Sequence, residues 1–147
     1  MTKEVLVTIS GMHTGLDADT GEMEPVEVVT PGTYYLKNGK HYILFEEMVE
    51  GVPGSIKNTM KITDNRIFEI HKTGLTNARM EFEKDRITMS SYQTPFGEMR
   101  ISIQTRDINI DIQEDFINVE IFYKLDVNEA PLSDCEIKVN VKSINKK

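Results

Sequence analysis

The side chains best suited to chemistry in this sequence lie in its first half: Tyr35, Lys37, Tyr42, Glu46, Thr59 and Lys61. Phenols, ammonium groups, a carboxylate and a hydroxyl are a donor set that orients a small anion. The lysines neutralise it and the hydroxyls fix its direction. Spacing makes them a set. Residues 33–50 read as two strands joined by Asn38-Gly39, because a type I′ turn needs positive φ at both central residues and Asn-Gly supplies it at least cost. That turn sets Lys37 opposite Lys40, Leu36 opposite His41, Tyr35 opposite Tyr42 and Tyr34 opposite Ile43. The period of two then gathers Thr33, Tyr35, Lys37, Lys40, Tyr42, Leu44, Glu46 and Met48 on one face. Tyr34, Leu36, His41, Ile43, Phe45, Glu47 and Val49 form the other. Thr59 and Lys61 extend the mixed face onto the next strand.

Two placements follow. If the mixed face lines a barrel, Lys37 and Lys61 are desolvated and each needs an anionic partner. Glu46 serves one, and a ligand carboxylate or phosphate serves the other. If the apolar face points inward, as the simplest barrel has it, the same residues form an outer surface with lysine stems over tyrosine rings.

Other chemistries fail on spacing. Gly39-Lys40-His41 lacks the pattern of a phosphate-binding loop, no Gly-x-Ser-x-Gly surrounds Ser55, and no Gly-x-Gly-x-x-Gly occurs. His13, His41 and His71 fall on separate strands without the paired ligands that announce a zinc site, so no metal and no other cofactor is expected. Glu46 and Glu47 point to opposite faces and cannot flank one bond. Asp17-Ala18-Asp19 opens like a calcium loop, but Gly21 and Val28 stand where oxygen ligands are needed. Residues 17–22 are therefore a hairpin loop.

The elements that must position these groups are strands. Val5, Val7 and Ile9 alternate in a strand over 3–13. A run over 23–37 contains Pro31-Gly32, which predicts a bulge or bend. Gly51 to Gly54 is a loop, strands over 55–63 and 66–73 flank Asp64-Asn65, and 76–83 pairs with 86–93. In that last hairpin Ala78, Met80, Phe82, Ile87 and Met89 are expected on one face. Thr94 to Gly97 is a turn, and the run from Met99 to Ile112 changes parity near Asp107, marking a bulge. Strands over 116–127 and 135–143 follow. About ten short strands with no helix-period segment predict an all-β fold, a single antiparallel meander barrel of about 8–10 strands over residues 1–147.

Composition narrows the function. A chain of 147 residues carries 17 basic and 24 acidic residues for a net charge of −7. Residues 1–50 alone account for −6 of it, so no basic stripe invites nucleic acid. The sole cysteine, Cys135, excludes an internal disulfide and fits a reducing compartment; its parity with Ile137, Val139 and Val141 makes it a core residue. No apolar run approaches the roughly 20 residues of a spanning helix, and the first residues do not read as a signal peptide, so a cytoplasmic protein without a membrane partner is expected.

Tyr34-Tyr35-x-Lys37-x-Gly39-x-x-Tyr42, Glu46-Glu47, Thr59-x-Lys61-Ile62, Lys72-x-Gly74, Phe82, Tyr92-x-Thr94-Pro95-x-Gly97 and Tyr123-x-Leu125, in that order, resemble the YwiB-like family of small bacterial calycin-type β-barrels. The resemblance covers nearly the whole chain. It implies a lipocalin-like meander barrel in the bacterial cytoplasm, with no established reaction or ligand. Phe45 stands where the family pattern has a tyrosine, and Lys72 where it has an arginine. The expected function is a binding module for a small, acidic ligand; the alternatives, in order, are an interaction protein that docks a protein partner on the barrel surface and an enzyme of unrecognised chemistry. Free volume in the lumen favours the first, a filled lumen with a large exposed apolar patch the second, and a cluster of convergent titratable groups in a cleft the third.

Overall fold

A computed structural model describes residues 3–16, 23–48, 51, 53–94, 97–128 and 130–144, with the backbone alone for 12–16, 23–26 and 130–133. Residues 17–22, expected to be a hairpin loop, lie outside the described residues. Ten strands follow in order: β1 Glu4–Leu16, β2 Met23–Lys37, β3 Lys40–Met48, β4 Ser55–Thr63, β5 Ile67–Gly74, β6 Ala78–Glu83, β7 Ile87–Thr94, β8 Gly97–Ile112, β9 Phe116–Val127 and β10 Ala130–Ser143. They form one antiparallel sheet in the order β6-β5-β4-β3-β2-β1-β10-β9-β8-β7. The expected all-β meander is correct, and the sheet curls almost into a closed barrel.

The turns follow the expected chemistry. Asn38 and Gly39 have φ of 53° and 74°, the two positive values a type I′ turn requires, and Tyr35 pairs with Tyr42 in the expected register. Asp64 and Asn65 are likewise positive, and Arg66 donates its N–H to Thr63 O. The shift near Asp107 is present, between Thr105 and Asp107 of β8 against β9. Pro31-Gly32 does not break its strand. β2 stays in register with β1 through both residues, and its pairing with β3 begins only at Thr33. Pro31, which has no N–H to donate, thus sits beyond the β2–β3 ladder.

The interior is packed with side chains from all around the sheet. Val5, Val7, Ile9, Ile43, Met60, Ile62, Phe68, Ile70, Phe82, Ile103, Ile117, Val119, Ile121, Ile137 and Val141 are essentially inaccessible, with Phe45, Tyr92 and Cys135 among them. The lumen is a core and not a cup. Phe68, Phe82 and Tyr123 meet as tilted and edge-on rings in its centre.

One expected face is wrong. Met80 and Phe82 of β6 are buried, but Ile87 and Met89 of β7 are 62% and 82% exposed, while Tyr92 is buried. The parity of β7 is set by β8, which pairs Thr88 with Ile103, Ser90 with Ile101 and Tyr92 with Met99. Because those β8 residues point inward, Thr88, Ser90 and Tyr92 do too. β6 cannot impose its own pattern across the seam. There the two strands share the Asn77–Gln93 bridge and a side-chain bond from Thr88 Oγ1 to Glu81 O, without a continuous ladder.

Candidate functional site

The mixed face points outward. Ile43 and Phe45 are buried, whereas Glu46 is exposed and Tyr35 is partly so, which settles the parity of the hairpin. Tyr35 and Tyr42 stack at 4.9 Å between centroids with 9° between planes, and Lys61 Nζ lies 5.8 Å from the Tyr42 centroid. These contacts follow from register, since Tyr35, Tyr42, Lys61 and Glu69 are successive partners across β2, β3, β4 and β5. Thr59 stands in the adjacent row between Leu44 and His71, and Glu46 is opposite Lys57.

The residues expected to converge inside the barrel do not converge. Lys37 is at the hairpin tip opposite Lys40, six residues along β3 from Glu46, a span of roughly 20 Å at the usual rise of a strand. No small molecule reaches both. A lumenal site built from Tyr35, Lys37, Tyr42, Glu46, Thr59 and Lys61 is therefore absent, because the apolar faces of ten strands take the interior. Leu36, of inward parity, is 60% exposed because the tip overhangs the barrel, where Tyr34 Oη meets His41 Nδ1 at 2.7 Å. The outer face instead holds an open depression of about 910 Å³, lined by Thr33, Leu44, Glu46, Lys57, Thr59 and Thr73 among others.

Beside it lies a charge cluster. Glu69 accepts a 2.9 Å hydrogen bond from Arg79 Nη2, with Lys61 Nζ at 3.8 Å and His71 Nε2 at 3.7 Å. Burial pushes its carboxyl upward, but the Arg79 hydrogen bond and the charges of Lys61, Arg79 and His71 outweigh it and leave the group below its ordinary value.

A second polar cluster, which the sequence reading did not assemble, lies on the inner face of the same strands. Lys72 Nζ donates to Glu47 Oε1 and to Asn58 Oδ1, each at 2.6 Å, and Asn58 Nδ2 donates to Glu47 Oε1 at 2.7 Å. Lys72 and Asn58 are almost fully buried, while the Glu47 side chain retains 19% exposure. Burial dominates at Lys72 and lowers its basicity, although Glu47 works in the opposite direction. Tyr92 completes the surroundings: burial, and then the Glu47 charge, push its phenol far above the ordinary range. Gly74 allows β4 and β5 to close tightly here, since a Cβ on it would lie 2.5 Å from Ser55 O, and its φ of +108° suits glycine alone.

The signal for this cluster was in the parity. Glu47 follows Ile43 and Phe45, Asn58 stands between Ile56 and Met60, and Lys72 follows Phe68 and Ile70, each in phase with a buried run. A polar residue in phase with the core on three neighbouring strands marks a buried network. Among the described residues no group of His, Cys, Asp and Glu is placed to hold a metal ion.

Residues 9–139 match the family described as "Domain of unknown function (DUF1934)". The chain belongs to this family. The "Uncharacterized beta-barrel protein YwiB" of Bacillus subtilis (strain 168) is 27% identical to this chain over 111 residues, 76% of each chain. The crystal structure of the ywiB protein from Bacillus subtilis superposes with a TM-score of 0.72 at 20% identity, covering 97% of this chain and 91% of that one. At that identity the structural likeness speaks for the fold. The expected YwiB-like family and the expected barrel are both correct.

Proposed function

We propose that this DUF1934 barrel is a cytoplasmic interaction module that engages an acidic polypeptide segment through the outer face of β2 to β6. The observation that carries the reading is the contrast between a lumen filled with apolar side chains and an outer face bearing the Tyr35–Tyr42–Lys61 row beside a depression of about 910 Å³. A filled lumen offers no cup, whereas a rigid aromatic pair next to cations is a low-entropy contact surface. Charge supports the partner's sign. Over residues 33–37 of β2 together with β3 and β4, Lys37, Lys40, Lys57 and Lys61 outnumber Glu46 on this face, although the chain as a whole carries −7. Carboxylates would meet the lysines, and apolar stems would lie on the tyrosines and Leu44.

The test is an NMR titration with a twelve-residue glutamate-serine peptide and its glutamine counterpart. The expected result is amide shifts confined to residues 33–46 and 57–61 with the glutamate peptide alone, weakened at least about fivefold in Tyr42→Ala/Lys61→Ala. Equal shifts with both peptides, no shifts, or stronger binding of an oligothymidylate of equal charge would each overturn the proposal.

A second reading, a small acidic ligand on the same face, draws on the depression beside Glu46, Lys57 and Thr59. There a dicarboxylic acid would shift residues 44–46 and 57–59 without reaching Lys37 or Tyr35.

A further inference from the structure

The interior cluster has a division of labour. Asn58 and Lys72 sit within the β3–β4–β5 ladders and are buried, so their donors are fixed in place. Glu47 is different. It is the next-to-last residue of β3, its side chain, 19% exposed, is the part of the cluster that reaches water, and the following Met48 is 76% exposed. Both fixed donors converge on one oxygen, Glu47 Oε1. The arrangement is a cradle of an ammonium and an amide N–H2, closed by a carboxylate that belongs to the chain but arrives from the solvent side. Stability alone does not call for it, because an apolar trio of similar volume would serve a core at least as well.

We propose that Lys72 and Asn58 form a binding site for the carboxylate of a small molecule, and that Glu47 is its built-in competitor. In the structure the Glu47 carboxylate stands in for the ligand. On exchange, Glu47 rotates into water at the mouth of the barrel and an incoming R–COO⁻ accepts the Lys72 and Asn58 hydrogen bonds in its place. Charge balances without proton transfer, because one carboxylate leaves as another enters. The ligand is short or narrow behind its carboxylate, since Phe45, Ile70 and Tyr92 pack the space beyond. Nothing in this proposal depends on the outer face, so it stands or falls separately from the docking surface.

Glu47→Gln tests it. Glutamine keeps an oxygen for Lys72 and Asn58 but removes the competing charge, so the cradle is left wanting an anion. Formate is the probe, with chloride at equal ionic strength as control, and the readout is the amide and side-chain signals of Asn58 and Lys72. The expected result is formate binding at least about tenfold tighter in Glu47→Gln than in the unsubstituted protein, absent in Glu47→Gln/Lys72→Met and unchanged by Tyr42→Ala. Equal affinity with and without Glu47, or equal shifts with chloride, overturns the site. Should Glu47→Gln fold only in part, a rise in its melting temperature with formate and not with chloride is the supporting outcome, and the lack of such a rise is the overturning one.

Discussion

Strand β5 presents a charged cluster on each of its faces, and the two obey opposite rules. On the outer face Glu69 is surrounded by Lys61, His71 and Arg79, of which Arg79 is 64% exposed. On the inner face Lys72 faces a single carboxylate, Glu47, with Asn58 filling its remaining geometry. Outside, attraction wins: three cations hold Glu69 below its ordinary value. Inside, desolvation wins: Lys72 is less basic than usual even with a carboxylate at 2.6 Å. Both charges are buried, with 8% of the Glu69 side chain and 1% of that of Lys72 exposed, so what differs is the number of opposite charges set against desolvation, three for Glu69 and one for Lys72.

The largest effect is expected from Glu47→Ala, which strands the buried Lys72 charge and should cost about 3–5 kcal/mol in chemical denaturation. The comparison sharpens with Glu47→Leu/Asn58→Leu/Lys72→Met, which removes the whole network so that no buried polar group is left without a partner, and should return stability to within about 1 kcal/mol of the original or above it. A triple variant as unstable as Glu47→Ala would mean that the cost of Glu47→Ala is not that of a stranded charge.

Next in size is the turn that positions the outer row. Gly39→Val places a β-branched side chain at a φ of 74° and should cost about 1–2 kcal/mol. An unchanged denaturation midpoint would show that the hairpin register does not depend on this turn.

Smaller again is the outer cluster. Glu69→Gln should cost less than about 1 kcal/mol, and the difference should shrink in 1 M salt, because its partners are solvated. The Lys72 effect should be insensitive to salt.

The pH dependences share a sign but fall in different windows. The folded Glu69 pKa lies below its ordinary 4.5, so its contribution is present above that value and is lost as pH falls through the depressed pKa. The folded Lys72 pKa also lies below its ordinary 10.5, so the unfolded chain binds the extra proton between the two values and stability rises with pH across that window. Measured against Lys72→Met, the unsubstituted protein should gain as pH approaches 10.5. Tyr92 has the opposite slope above its ordinary 10.0, but it is common to both proteins and cancels.

What the sequence made legible was local. Period-two alternation placed the strands, Asn38-Gly39 set the hairpin register, and the parity change near Asp107 located a bulge. What it hid was pairing between distant residues. The orientation of β7 could not be read from its own hairpin with β6, because β8 dictates it. Glu47, Asn58 and Lys72 are single polar residues in three apolar runs, and only the β3–β4–β5 registers make them a cluster. The mixed face was recognised as a unit, but strand rise spreads it too far to hold one small ligand.

In the simplest up-and-down barrel the first and last strands close the ring. Here β1 and β10 share a ladder from Val5–Ser143 to Ser10–Lys138 in the middle of the sheet, and the weak seam falls between consecutive strands β6 and β7. The strongest closure is thus the one with the greatest separation along the chain. Joining ends some 130 residues apart costs on the order of 4 kcal/mol of loop entropy beyond a constant. On the ribosome, β2 to β6 can pair as each hairpin emerges, but β1 keeps an unsatisfied edge until β10 is free. Conversely, cutting the chain between β6 and β7 would sever no ladder, leaving two fragments, each a meander, able to reassemble along β1 and β10.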